Sequence, residues 1–220
     1  TLTPEEAAAL MPDRPEYGHK GTFGLLLLAA GSRDMPGAAI LCATGAMRGG
    51  CGLVRLLATQ NVNQIVASHV PEVIYTDVCK HLEHLHPLSD EDLECIFHRA
   101  TAAAIGPGIG KDEETEQFLE QLLRECEQPI LLDADALTMI AENENLAKLV
   151  KPSHVMTPHP GEMSRLIDKG PKEIQADRWG SAAEAARKYG CVVVLKGSET
   201  LVAEPDVRVT HIPSGNSAWA

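Results

Sequence analysis

The sequence predicts an α/β fold: a mostly parallel sheet flanked by helices on both faces. Three observations lead there. Short apolar runs, Leu25–Ala30, Thr101–Ile105, Pro129–Asp133 and Cys191–Leu195, have strand length, and the uninterrupted run Leu25–Ala30 between glycines is expected to be covered on both faces. Glycine-rich turns close three of the runs, at Gly31, Gly106–Gly110 and Gly197. Between the runs lie segments with helical spacing.

The first predicted helix, Leu2–Met11, has Thr3 to cap it, Pro4 in its first turn and Glu5 and Glu6 at its positive end; Pro12 stops it. Gly21–Gly24 leads into the first strand, Leu25–Ala30. An alanine-rich helix over Pro36–Met47 follows, then a short buried element over Gly52–Ala58. Thr101–Ile105 opens a strand, glycine-turn and helix unit whose helix, Asp112–Cys126, carries Phe118, Leu119, Leu122 and Leu123 at helical spacing. Pro129–Asp133 is the next strand, and helical turns run from Ala134 towards Leu149. Ser153–Met156 is a shorter strand, with a helix starting near Glu162. A helix over Lys172–Tyr189 ends at Gly190 and passes directly into a central strand, Cys191–Leu195. Thr200–Ala203 and Arg208–Ile212 are expected to pair as a hairpin around Pro205–Asp206.

The 220 residues, 44 % of them hydrophobic, suffice for one domain with one sizeable core. Aromatic residues make up only 4 %, so Ala, Val, Ile and Leu must supply the packing. A net charge of −12 with no dense basic block argues against general nucleic-acid binding. The longest early apolar run, Leu25–Ala30, is far too short to cross a bilayer. Six cysteines without a C-x-x-C pair or zinc-ligand cluster read as buried free thiols and favour a reducing, cytoplasmic compartment. A start at Thr1 rather than Met fits excision from a longer chain.

Residues just past strand carboxyl ends converge on a ligand crevice in open α/β sheets, so the turns there are the candidates. Gly106-Pro-Gly-Ile-Gly110 could bring backbone amides against an anionic or planar ligand, or be a structural tight turn; it is neither a Walker loop nor a dinucleotide fingerprint. Asp133 and Asp135 could position magnesium, or Asp135 could cap a helix while Asp133 fixes the turn. His159, held between Pro158 and Pro160 and followed by Gly161-Glu162, could meet substrate or make a structural hydrogen bond, with Glu162 stabilising the helix start. Lys196 could contact a nucleotide phosphate at the end of a buried strand, where Gly197 permits close approach; the other reading is an ordinary solvent-facing strand end. Lys20, with Gly21–Gly24, could face an anion or be a surface lysine at a tight strand entry. Arg48 is expected to be solvent-exposed or salt-bridged rather than phosphate-binding.

Lys20-Gly-Thr-Phe-Gly24, Gly31-Ser32, Gly37-Ala-Ala-Ile40, Gly45-Ala-Met-Arg48, Gly106-Pro-Gly108, Asp133-Ala-Asp-Ala-Leu137, Thr157-Pro-His-Pro-Gly-Glu162 and Val194-Leu-Lys-Gly197 together closely resemble the ADP- or ATP-dependent NAD(P)H-hydrate dehydratases, which have a ribokinase-like fold. Each motif alone is weak, but their order and joint presence are specific. The resemblance implies a single ribokinase-like domain over 1–220 and a lyase that repairs the S epimer of hydrated NADH or NADPH. ADP or ATP would be the phosphoryl donor and Mg2+ a helper. It implies substrate contact at Ala39, at Gly106 or Gly108, and at His159, with His159 positioning substrate rather than acting as the main base. Lys196 and its neighbour Gly197 would meet the adenine-nucleotide phosphates.

The stretch Pro213-Ser-Gly-Asn216 through Ala218-Trp-Ala220 resembles the approach to the family's glycine-rich catalytic turn, whose Asp base is expected beyond Ala220; the 220 residues alone would then show little catalysis. Trp219 departs from the small, glycine-containing sequence expected there and could either alter adenine packing or fill the core. Self-association, as a tetramer for instance, is a further expectation of the resemblance; the start at Thr1 leaves room for an epimerase domain ahead of it without establishing one. Two other functions fit the same pattern: a ribokinase-like small-molecule kinase, and a nucleotide-binding module without turnover.

Overall fold

The computed structural model describes residues 1, 3–79, 84–206 and 208–214. They form α1 (Pro4–Ala9), a 3-10 turn (Lys20–Phe23), β1 (Leu25–Ala29), α2 (Pro36–Arg48), β2 (Leu53–Thr59), α3 (Gln60–Ala67) and β3 (Ile74–Cys79). Next come α4 (Asp90–Phe97), β4 (Ala102–Ile105), α5 (Glu113–Glu125), β5 (Ile130–Leu132), α6 (Asp135–Glu142) and α7 (Glu144–Ala147). The remainder is β6 (Val155–Met156), α8 (Pro160–Leu166), α9 (Pro171–Ala176), α10 (Arg178–Tyr189), β7 (Val192–Leu195), β8 (Thr200–Ala203) and β9 (Val209–Ile212). Backbone proximity groups them into two compact units, His19–Met139 and a second made of Thr1–Gly18 with Ile140–Ala220.

In the unit His19–Met139 the strands lie in the order β3-β2-β1-β4-β5, and every pairing is parallel. Leu28 pairs with Leu56 on one side and Ala104 on the other, so β1 is interior. Its burial from Leu27 to Ala29 follows from having helices on both faces. On one face, Ala39 and Ala43 of α2 and Val62 and Val66 of α3 pack on Leu28, Val54, Leu56 and Ala58. On the other, Phe97 at the end of α4 and Leu122 and Cys126 at α5 meet Leu27, Ala29, Leu57, Ala103 and Ile105. Alanine on α2 lets the helix backbone approach the sheet closely, which is how a core with so few aromatic residues fills its volume. Helix α5 is set by local signals: the Asp112 side chain caps it by accepting from Thr115 N at 3.0 Å, glutamates occupy its first turn, and Phe118, Leu119, Leu122 and Leu123 are buried.

The connections β1–α2–β2 and β4–α5–β5 start from adjacent strands and run to opposite sides of them. The strand order therefore reverses between β1 and β4, which makes the carboxyl ends of these two strands the topological switch point, where open α/β sheets place ligands.

In the second unit β6 and β7 are parallel, while β8 and β9 continue as an antiparallel hairpin, so the pairings of the described chain are mostly parallel. Beside β7 and β8, α10 buries Ala182, Ala183, Ala185, Ala186 and Tyr189 and ends at Gly190 in the left-handed region (φ 65°). The expected helix over Lys172–Tyr189 is two helices. Asp177 (φ −138°, ψ 75°) closes α9 and caps α10, its carboxylate accepting from Gly180 N at 2.8 Å. An aspartate that can bond an amide three residues on competes with helix continuation, which is why the periodic pattern overran the break. Likewise α1 is shorter than expected, starting at Pro4 with a Thr3–Glu6 capping box.

Of the thiols, Cys126 and Cys191 are buried as expected, and burial pushes Cys191 up to about 12; Cys95 is exposed instead. Among the described residues no helix is long and apolar enough to cross a membrane.

Candidate functional site

In the unit His19–Met139 the turn after β4 lies against the turn after β1. Gly31 N donates to Pro107 O at 2.8 Å, and Gly106 N donates to Ala29 O at 3.1 Å. Gly106 has φ 131°, and a Cβ there would overlap the Asp133 carbonyl, so only glycine fits. Gly108 (φ 66°) rests on Met35 and Ala38 at the start of α2. Ala39 is fully buried, with its Cβ under Gly31. Packing thus accounts for Ala39, Gly106 and Gly108 as the shape of a bare-backbone ledge; Pro107 and Gly110 are its partly accessible members.

The aspartates beyond β5 belong to the same ledge. Asp135 does not cap a helix from outside, as one expectation had it. It is the first residue of α6, and its Oδ2 accepts from Gly110 N at 3.0 Å. The Asp133 carbonyl accepts from Ala136 N at 3.2 Å, and Ala134 between the two aspartates takes a left-handed conformation (φ 50°). Turn-fixing, expected of Asp133, falls to the Asp135 side chain through its bond to Gly110 N. Its carboxylate anchors the far end of Gly106–Gly110.

Lys20 is exposed, in a 3-10 turn capped by His19, whose Nδ1 accepts from Gly21 N at 3.1 Å. Gly52 N and Leu53 N donate to Phe23 O and Gly24 O, both at 3.0 Å, so Gly21–Gly24 serves as a tight entry to β1. Arg48 is exposed in the last turn of α2.

The second unit gathers the other candidates. His159 caps α8: its Nδ1 accepts from Gly161 N (2.9 Å) and Glu162 N (3.3 Å), and Pro160 begins the helix. Glu162 reaches back, its Oε2 accepting from His159 N at 2.7 Å, so the imidazole takes the place of the serine or threonine of a capping box. Because Nδ1 accepts, the neutral ring carries its proton on Nε2, which lies 3.3 Å from Glu162 Oε1. Lys196 Nζ is 3.9 Å from Glu162 Oε2, and Lys196 N donates to Pro158 O at 2.8 Å. A carboxylate only 6 % exposed therefore lies between an exposed imidazole and a half-buried ammonium. Such a group fixes both neighbours and draws the cation towards the helix start.

Sequence reasoning placed His159, Glu162 and Lys196 singly; the fold joins them. It missed Arg178. The Arg178 guanidinium donates to the carbonyls of Leu195, Lys196 and Glu199, inside the turn that carries Lys196 and Gly197. No local signal could have found it, since 17 to 21 residues separate the partners. Of the approach Pro213–Ala220 to the glycine-rich turn, residues 215–220, with Trp219, lie outside the described residues.

Comparison with known proteins gives these features a context. The family model for NAD(P)H-hydrate dehydratase matches residues 26–220. A bifunctional NAD(P)H-hydrate repair enzyme of Gloeobacter violaceus is 40 % identical over 223 residues, covering 100 % of this chain and 42 % of that protein. The ADP-dependent (S)-NAD(P)H-hydrate dehydratase of Bacillus subtilis is 36 % identical over 222 residues, covering 99 % of this chain and 74 % of that protein. The chain thus spans well under half the length of the bifunctional relatives. A crystal structure of the Bacillus subtilis ADP/ATP-dependent NAD(P)H-hydrate dehydratase, co-crystallized with ATP/Mg2+, matches with TM-score 0.81 at 34 % identity over 99 % of this chain and 73 % of that one. A ribokinase-like superfamily protein from Enterococcus faecalis shares the fold, with TM-score 0.79 at 23 % identity over 93 % of this chain and 68 % of that one. By this match, this fold and this order of motifs, the chain belongs to the NAD(P)H-hydrate dehydratase family and has its ribokinase-like α/β fold.

Proposed function

We propose that the polypeptide carrying these residues repairs the S epimer of hydrated NADH or NADPH, using ADP or ATP as phosphoryl donor. Support comes above all from family membership over 26–220. The chemistry follows from the leaving group. Hydroxide leaves a ring carbon poorly and phosphate leaves readily. The ring hydroxyl gives up its proton to a base while its oxygen attacks the terminal phosphorus of the nucleotide, and the bond to the departing nucleotide breaks. Ring-nitrogen electrons then assist rupture of the carbon–oxygen bond, and loss of a proton from the neighbouring carbon restores the dihydropyridine. With ADP the other products are AMP and inorganic phosphate.

In this reading the hydrated ring rests on the bare backbone of the ledge that Gly106 and Gly108 form above the buried Ala39, whose close packing sets its shape. His159, whose ring is oriented by the α8 amides, holds substrate. Lys196 and Gly197 meet nucleotide phosphate, a role suited to a cation and a bare backbone amide at a strand end. Magnesium enters with the nucleotide, since Mg2+ is usually held by phosphates and one or two carboxylates. Among the described residues no cluster of three or more His, Cys, Asp or Glu side chains could hold a metal ion by itself. When bound, the ion would neutralise phosphate charge as the hydroxyl attacks.

The test is recovery of dihydronicotinamide absorbance from the S hydrates of NADPH and NADH, with Mg2+ and either ADP or ATP. Recovery that depends on one nucleotide establishes the repair and names the donor. A folded protein that restores neither hydrate with either nucleotide sinks the assignment.

A further inference from the structure

We propose that Arg178 is the positioning residue of the turn after β7, holding Lys196–Glu199 in the shape that receives nucleotide phosphate. The inference rests on the reading that Lys196 and Gly197 meet that phosphate.

Arg178 is the first residue of α10, and its Nη2 donates to Glu199 O at 2.8 Å, Lys196 O at 3.3 Å and Leu195 O at 3.4 Å. One nitrogen with two hydrogens thus serves three carbonyls, the nearest by a direct bond and the other two at longer range. A guanidinium can do this because its donors are planar and fixed. The consequence lies on the other side of each peptide. A trans peptide is planar, so the C=O of Lys196 and the N–H of Gly197 point in opposite directions. Drawing the Lys196 carbonyl towards the guanidinium therefore turns the Gly197 N–H away from it. Lys196's own N–H is committed to Pro158 O, so of the two backbone donors of Lys196 and Gly197 it is the Gly197 amide that the turn directs away from the guanidinium, towards a ligand.

Gly197 and Arg178 are matched in shape. A Cβ on Gly197 would lie 2.7 Å from Arg178 Nη2 and 3.0 Å from Nη1, so the glycine leaves room for the guanidinium to enter the turn. At the far end of the turn Glu199 Oε2 lies 3.3 Å from His211 Nε2 on β9, close enough for an ion pair with a protonated ring but without hydrogen-bond geometry. A guanidinium behind the turn also adds positive potential where an anion would approach, without contacting it.

The experiment compares Arg178→Gln and Arg178→Lys with Lys196→Gln in the polypeptide carrying these residues. It titrates Mg2+–ADP and, separately, adenosine, and records thermal unfolding. Arg178→Lys keeps the stem and charge but loses the planar fork, so it serves if the Gln variant does not fold. The expected result is ADP affinity about tenfold weaker for both Arg178 variants, with adenosine changed by less than about twofold, because only the phosphates use the turn. Equal loss for ADP and adenosine, or unchanged ADP affinity in a folded Arg178 variant while Lys196→Gln weakens it, overturns the proposal. If Lys196→Gln also leaves ADP affinity unchanged, the nucleotide reading of the turn fails first and takes the inference with it.

Discussion

The turn after β4 is shaped by backbone: Gly106 fits only because it has no Cβ, its amide donates to Ala29 O, and Asp135 adds a side-chain tie at Gly110. The turn after β7 is shaped by a side chain, since the Arg178 guanidinium occupies its interior and bonds three of its carbonyls. A turn made by backbone exclusion cannot change without moving the strands beside it. One made around a flexible arginine can be altered while the fold survives. The two units differ in the same sense. Among the described residues, the buried members of the His, Asp, Glu, Lys and Arg set are His154 and Glu162, both in the second unit, whereas the buried polar side chains of His19–Met139, Thr59, Asn63, Thr115 and Thr138, are hydroxyls and an amide.

The largest effect is expected at Gly106. Gly106→Ala forces a Cβ onto the Asp133 carbonyl in a conformation that side chains avoid, and should cost about 4 kcal/mol in urea unfolding. A loss below about 1 kcal/mol would show that this turn yields, and would remove the contrast between the two.

The second effect belongs to the buried imidazole. His154 has no exposed surface; its Nδ1 accepts from Lys151 N at 3.1 Å, and its Nε2 is buried with no hydrogen-bond partner among the described residues. Burial first, and then the charge of Lys151, lower its pKa from the ordinary 6.5 to about 4. The folded state thus binds fewer protons than the unfolded chain between those values. Its contribution is whole above about pH 6.5 and is lost as pH falls towards about 4, levelling off below that, for on the order of 3 kcal/mol in all. His154→Gln should flatten the pH dependence of unfolding in that window; an unchanged slope would mean that another group carries it.

Third, Asp135→Ala should cost about 1–2 kcal/mol by leaving the Gly110 amide without its carboxylate. The smallest stability effect is expected at Gly197. Gly197→Ala must push the Arg178 side chain aside, changing stability by less than about 1 kcal/mol while weakening Mg2+–ADP about tenfold. If it instead unfolds the protein as readily as Gly106→Ala, the two turns are built alike.

Much of the architecture was legible because its signals are local. The doubly covered strands stand out as unbroken apolar runs, and α5 carries its own cap, acidic first turn and apolar stripe. No element was expected at α3, β3 or α4. Of these, α4 does carry a local signal in its Ser89 cap and acidic first turn, whereas β3, Ile74-Tyr-Thr-Asp-Val-Cys79, mixes polar and apolar residues in one short run, and α3 buries Asn63, whose amide donates to Ala58 O and Thr76 O. Partners of that kind are invisible to a pattern of apolar spacing. The break at Asp177 was hidden for a related reason, since helical periodicity continues across it.

Strand and helix order, the glycines at strand ends and the motifs that mark the family were determined by the sequence itself, because propensity, periodicity and the absence of a Cβ act within a few residues. The partners of those motifs were decided by tertiary structure alone. Asp135 reaches Gly110 across 25 residues, Lys196 meets Pro158 and Glu162 from another strand, and Arg178 enters a turn that begins 17 residues further along the chain. Long-range hydrogen bonds depend on where packed helices and strands set their ends, and spacing along the chain does not encode that distance.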